Sequence, residues 1–300
     1  MQQLTGLDAS FLYLETPNAP MHISGLYIYT QETAPEGKVR FKQIIESITS
    51  RIQRLPTLSR RLKTVPLGLD HPYWVDDGHF DPEFHIRHVA LPAPGDWRQL
   101  CILISRLHAR PLDRARPLWE IYVIEGLDRV EGYPKGSFAV FSKMHHAAVD
   151  GASGMEVTAA IHDLDPNPHP VHDDGWREGE HEPSNLSLLM KAQKNSLRQP
   201  LRFISVARNT VPGFARLFMR VGKVPRPRFN DTVSAYRVFT AVSLPLDDIK
   251  AIKNAVEGAT VNDVAISIVG GALRRYLDAH GELPEDSLVA MAPINVRDTR

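Results

Sequence analysis

Sulfur is scarce in this chain: there is one cysteine, Cys101, in 300 residues. A single thiol excludes an intrachain disulfide, and no Cys/His cluster has the spacing of a structural zinc site. A reducing compartment is the default expectation. Charge of one sign is missing too, because 35 Lys and Arg offset 35 Asp and Glu; nothing global therefore points to nucleic acid. No apolar run reaches the roughly 18 residues that cross a bilayer. The best candidate, Val261 to Ala272, is shorter and carries Asn262 and Asp263. The opening MQQLTGLDASFLYLET lacks the positive start and long apolar stretch of a signal peptide, so it reads as mature sequence. HExxH and GxSxG are both absent, which removes the usual zinc hydrolase and the serine nucleophile elbow.

What is there is the composition of a soluble globular protein, 43% hydrophobic and 23% charged, long enough for two domains or one large one. Strand-like and helix-like patterns interleave through about residue 165. HISGLYIYT, YWVDD, FHIRHVAL, PLWEIYVIEGL and GSFAVFSKMHHAAVD read as strands, and VRFKQIIESITSRIQRL and WRQLCILISRLHARPL as helices, the second ended by Pro111. GMEVTAAIHDL returns to helical spacing. This alternation predicts a mixed α/β domain over 1–165.

Residues 166–233 form a different region. An acidic, Pro- and Gly-rich loop is followed by a run from Ser184 to Asn230 with no acidic residue and ten Lys or Arg. Interleaved Leu, Phe, Ile and Val make that run a basic amphipathic helical linker, suited either to covering a core or to adsorbing on an anionic lipid surface. Residues 234–300 begin a new unit. YRVFTAVSLPL and LVAMAPINVR read as strands, DDIKAIKNAV as a helix, and TVNDVAISIVGGALRRYLDAH as a helix capped by Thr260 or Asn262 that stops near Gly281. Two strands and two helices cannot cover both faces of a sheet, so this second domain reads as incomplete.

The stretch FSKMHHAAVDGASG carries the chemistry-bearing residues. A strand ending at His145 would turn sharply there, with Ala147 and Ala148 permitting close approach and Gly151 supplying backbone freedom. His146 and Asp150 would then lie near each other. An exposed, neutral histidine is a suitable base for a hydroxyl or amine nucleophile. The pair could equally be core histidines, and spacing alone does not choose. Thr260-Val-Asn-Asp, likewise, reads by itself as a helix cap.

HHxxxDG, here His145, His146, Asp150 and Gly151, is the motif of acyltransferases related to chloramphenicol acetyltransferase and to peptide-synthetase condensation domains. The segments LTGLDASFLYLETPNAPMHI, RPLWEIYVIEGL, ATVNDVAISIVGGALRRYL and APINVR narrow the resemblance. Together they resemble, in order, the bacterial wax ester synthase/diacylglycerol acyltransferase family over nearly the whole chain. The resemblance implies a chloramphenicol acetyltransferase-like α/β sandwich of two domains, the second incomplete here, with a tunnel between them.

It also implies an O-acyltransferase that makes triacylglycerol from diacylglycerol, or wax ester from a fatty alcohol. His146 would be the general base and His145 would support the loop. Asp150 would fix the loop through an arginine, with Arg60, Arg61 and Arg297 as candidates. Gly151 and Asn262 would serve substrate binding. No metal or cofactor is expected, acyl-CoA being a co-substrate, and Cys101 would be a bystander. The implied location is cytoplasmic, with peripheral contact to a membrane or lipid droplet, and no nucleic-acid partner. Two alternatives stay open: a condensation-type enzyme with another acceptor, and an inactive or partner-dependent fragment.

Overall fold

The computed structural model describes residues 1–34, 37–52, 55–149, 157–159, 161–162, 182–196 and 225–290. The chain falls into two compact units: Met1–Leu201 with Ser234–Phe239 and Pro293–Arg300, and Arg202–Val233 with Thr240–Ala292.

The first unit is built on a four-stranded sheet ordered β2 (His22–Tyr29), β7 (Phe138–His145), β6 (Trp119–Glu125), β5 (Ile86–Ala90). The β2–β7 and β7–β6 pairs are antiparallel, and β5 lies parallel to β6. A parallel neighbour needs a crossover, and helix α4 (Trp97–Ala109) lies in the connection. Side chains that alternate along the central strands sort the core into two layers. Ile121 and Val123 of β6 and Phe138, Val140 and Met144 of β7 pack with Ile48 and Ile52 of helix α2 (Phe41–Ile52). Tyr122 and Ile124 of β6 and Ala139 and Phe141 of β7 pack with Leu100, Ile104 and Leu107 of α4. A sheet covered on both faces explains why all eight residues of β7 are buried.

A smaller antiparallel sheet joins β1 (Gln2–Gln3), β4 (Tyr73–Asp76) and β3 (Arg60–Lys63). Helix α1 (Gly6–Leu14) begins where the Thr5 hydroxyl accepts from the Asp8 N–H at 3.2 Å, and packs Ala9 and Leu12 with Leu62, Trp74, Leu118 and Ala147. Helix α5 (185–196) places Leu188 and Ala192 against Val65, Tyr73 and Val75.

The expected strand over FHIRHVAL is shorter, because Asp81 and Pro82 open a helical turn, α3 (Pro82–His85), before β5. The Asp81 carboxylate accepts from the Glu83 N–H at 2.9 Å, and proline at the first helical position lacks an N–H that would go unpaired there. YRVFTAVSLPL does not form a strand. No described segment pairs with it, and its alternate residues Tyr236, Val238, Val242 and Leu244 are exposed. Alternation without a hydrogen-bonding neighbour does not make a sheet.

In the second unit, α6 (Leu246–Asn254) and α7 (Val261–Ala279) form as expected. Thr260 rather than Asn262 caps α7, in a reciprocal box with Asp263. The helix ends at His280, followed by Gly281 at φ 67°. LVAMAPINVR falls mostly outside the described residues, as do the acidic loop and much of the basic run.

Candidate functional site

The geometry around His145 and His146 starts with strand β7. His145 is its last residue, fully buried, and its register partner on β2 is His22. The chain then turns, as the HHAAVD stretch predicts. The His145 N–H donates to Leu118 O at 3.0 Å, the His146 N–H to Met21 O at 2.9 Å, and the Ala148 N–H to His145 O at 2.9 Å. Inside that turn the Ala147 N–H donates to His145 Nδ1 at 3.0 Å.

A backbone amide can only donate, so Nδ1 of His145 is the acceptor and the neutral ring carries its proton on Nε2. That nitrogen is 3.5 Å from Oε2 of Glu15, a polar contact longer than an ordinary hydrogen bond. Glu15 follows α1 and its side chain is 8% exposed. Its Oε1 accepts from the Met21 N–H at 3.3 Å, and its Oε2 receives both Nε and a terminal nitrogen of Arg114. Arg114 also donates to Leu12 O at 2.8 Å, closing one of the carbonyls left open at the end of α1. Burial by itself would raise the Glu15 carboxyl, but the Arg114 hydrogen bond and charge, with the Met21 N–H, bring it below the usual carboxylate range.

His146 is half-buried. Its ring stacks on Phe11 of α1, centroids 5.0 Å apart and planes at 22°. Burial lowers its pKa, which favours the neutral imidazole. Burial likewise lowers His145, more than the nearby Glu15 charge restores. Cys101, on α4, is pushed up by burial, which opposes thiolate formation.

Lys143, two residues before His145 on β7, is wholly buried. Its Nζ donates to Leu107 O at 3.0 Å and Arg110 O at 2.6 Å, and lies 3.5 Å from Oε2 of Glu120. It thereby closes the carbonyl end of α4 from the strand beneath. Burial lowers its pKa, with the Glu120 charge acting the other way.

Asp150 and Gly151 lie outside the described residues, as does Arg297. Of the other two arginines considered for Asp150, Arg60 is held by Asp76 at 2.9 Å, and Arg61 by Glu182 at 2.8 Å with Asp77 at 3.7 Å. Asn262 stands on the exposed first turn of α7, in the second unit. Trp119 is 1% exposed and donates its indole N–H to Leu58 O at 2.7 Å, as a packing anchor does.

Sequence reasoning passed over Glu15 and Arg114. The one available signal was a carboxylate at the end of an apolar helix, and the 99 residues between the two partners hide the pairing. A cavity of about 590 Å³ bordered by Leu12, Tyr13, Leu62 and Lys63 shares Arg114 with this network, while His146 is not among its lining residues. Among the described residues there is no group of three or more metal-ligating side chains, and no helix long and apolar enough to cross a membrane.

The wax ester synthase/diacylglycerol acyltransferase catalytic-domain model matches residues 4–265. A Mycobacterium tuberculosis (strain H37Rv) protein that carries the name diacylglycerol O-acyltransferase, Rv1760, is 35% identical over 99% of this chain and 59% of its own length. Another from that strain, Rv3087, with the same style of name, is 33% identical over 99% of this chain and 63% of its own. Among solved structures, the wax ester synthase/diacylglycerol acyltransferase from Marinobacter aquaeolei VT8 superposes with a TM-score of 0.65 at 31% identity, over 97% of this chain and 65% of that one. The chain thus spans about six-tenths of the length of these relatives. With its α/β sheet, its paired histidines at the end of β7 and matches that run through both units, the chain belongs to the wax ester synthase/diacylglycerol acyltransferase family.

Proposed function

We propose that the protein transfers a fatty acyl group from acyl-CoA to the hydroxyl of a lipid alcohol, diacylglycerol or a long-chain alcohol, with His146 as general base. The observation that carries this reading is the placement of His146: a half-buried imidazole whose backbone N–H donates to Met21 O and whose ring is stacked on Phe11, with burial lowering its pKa. A base must be unprotonated at the working pH and held in place, and both the lowered pKa and these two contacts support that role.

In the proposed step the ring takes the proton of the acceptor hydroxyl while its oxygen attacks the thioester carbonyl. As the tetrahedral intermediate collapses, the carbon–sulfur bond breaks and the imidazolium returns that proton to the CoA sulfur. Atoms and charge balance with no acyl-enzyme and no cofactor, and Cys101 takes no part. Gly151 and Asn262 are proposed to serve substrate binding, and Asp150 to hold the loop. We place the reaction in the cytoplasm at the surface of a membrane or lipid droplet. The acid-free stretch from Ser184 to Asn230 supports that location, because basic amphipathic segments adsorb to anionic lipid.

The test is labelled palmitoyl-CoA offered with dioleoylglycerol and with hexadecanol separately, beside His146→Ala. Thiol release and labelled neutral lipid are expected from the unaltered chain, with a loss of about 10²- to 10⁴-fold in the variant. No turnover by folded protein with either acceptor would remove the reading of this chain as an autonomous enzyme.

A further inference from the structure

We propose that Glu15 is the positioning residue for His146, acting through the two groups on which the reactive turn hangs, His145 and Met21. The inference rests on the reading of His146 as the base. Three connections meet at this one residue, two of them at its carboxylate.

First, Glu15 Oε1 accepts from the Met21 N–H at 3.3 Å, and the Met21 carbonyl in turn accepts from the His146 N–H at 2.9 Å. One residue of chain therefore separates the carboxylate from the backbone of the base. Second, Glu15 Oε2 faces Nε2 of His145 at 3.5 Å, while the opposite nitrogen of that ring receives the Ala147 amide at 3.0 Å. A negative charge at Nε2 favours the tautomer with its proton there and leaves the Nδ1 lone pair for Ala147. The other tautomer would set a ring N–H against an amide N–H inside the turn that presents His146. Third, Glu15 ends α1, whose Phe11 is the stacking partner of the His146 ring; the Glu15 N–H donates to Phe11 O at 3.2 Å.

A helical account alone does not explain the residue. A carboxylate at the carbonyl end of a helix is disfavoured by the helix dipole, and this one is also largely withdrawn from water. Arg114 offsets both costs, holding the carboxylate through two of its nitrogens and taking the Leu12 carbonyl as well. The described titratable groups in contact with Glu15 are the Arg114 guanidinium and the neutral His145 ring. The arrangement keeps an ionised acid beside His145, and such an acid fixes a ring's tautomer.

The test reads the tautomer directly. Histidine labelled with ¹⁵N is introduced into the unaltered chain, and the ring signals of His145 are assigned by their loss in His145→Gln. At neutral pH His145 is expected as the Nε2–H form. Finding it as the Nδ1–H form would overturn the proposal, and that result needs no Glu15 variant to fold. In Glu15→Gln, shown folded by its circular dichroism, His145 is expected to lose the uniform tautomer. There kcat should fall about 10- to 100-fold while KM for palmitoyl-CoA moves by less than about twofold. Full kcat in Glu15→Gln beside an inactive His146→Ala would discard the role of Glu15 and leave the base assignment standing. An active His146→Ala would remove the base assignment, and this inference with it.

Discussion

Strand β7 and helix α7 draw on similar apolar residues and meet opposite fates. Every one of the eight residues of β7 is buried, whereas only Val264 and Leu277 of the nineteen in α7 are. Ile266, Ile268, Val269 and Tyr276 of α7 remain 40–57% exposed. The difference lies in what surrounds each element. β7 has a hydrogen-bonded strand on either side and a helix over each face, so a lysine and a histidine are held there with pKa values lowered by burial. The form of α7 comes instead from its own Thr260–Asp263 box and its spacing. Precision of the kind a reactive histidine needs follows from burial on all sides, and helical form alone does not supply it.

The contrast can be broken most sharply in the layer beneath β7. Trp119→Ala, on neighbouring β6, should cost about 3–5 kcal/mol through the cavity it leaves and the Leu58 carbonyl it strands, read from the urea midpoint. A loss below about 1 kcal/mol would mean that this layer is not tightly packed.

Acid should work on the same region through His22, the register partner of His145. Burial, aided by the Lys143 charge, lowers His22 to about 4 from an ordinary 6.5. The unfolded chain therefore takes up this proton first as pH falls. The stabilisation is complete above pH 6.5 and is lost between 6.5 and about 4, on the order of 3 kcal/mol from this group. His22→Gln should flatten that part of the stability-against-pH curve. An unchanged slope would show that His22 is already solvated in the folded state.

On α7 the effects should shrink. Thr260→Ala removes the cap and should cost about 1 kcal/mol. Val269→Gln, at a position 57% exposed, should stay within about 0.5 kcal/mol. Chemical denaturation of the two variants side by side checks the ranking, and a larger loss at Val269 would place a packing partner on a face that is open here.

Legibility in the sequence followed the same division. Strands β2, β6 and β7 announced themselves as apolar runs, and the break after His145 was readable as small residues and a glycine. The two-residue β1 and the polar RRLK of β3 gave no periodic signal, because they acquire their role only by pairing with β4. YRVFTAVSLPL carried a strand signal with no partner among the described residues to realise it. His145 and His146 were legible as a pair, but the groups that hold them were not. Glu15 and Arg114 come from segments far apart in sequence, and Lys143 reads on the page as an ordinary surface cation. A lone sequence carries no trace of such long-range contacts, since each residue is unremarkable until its neighbour is known.

Lys143 has a further effect, on how faithfully the sheet assembles. Side chains alternate along a strand, so a slip of β7 by one residue would move its lysine from the carbonyls of Leu107 and Arg110 into the aliphatic layer beneath α2, unpaired. It would also swing His145 away from Glu15. The misaligned sheet is thereby penalised two residues before His145. A cation whose visible task is to close a helix acts in addition as a proofreader of strand alignment.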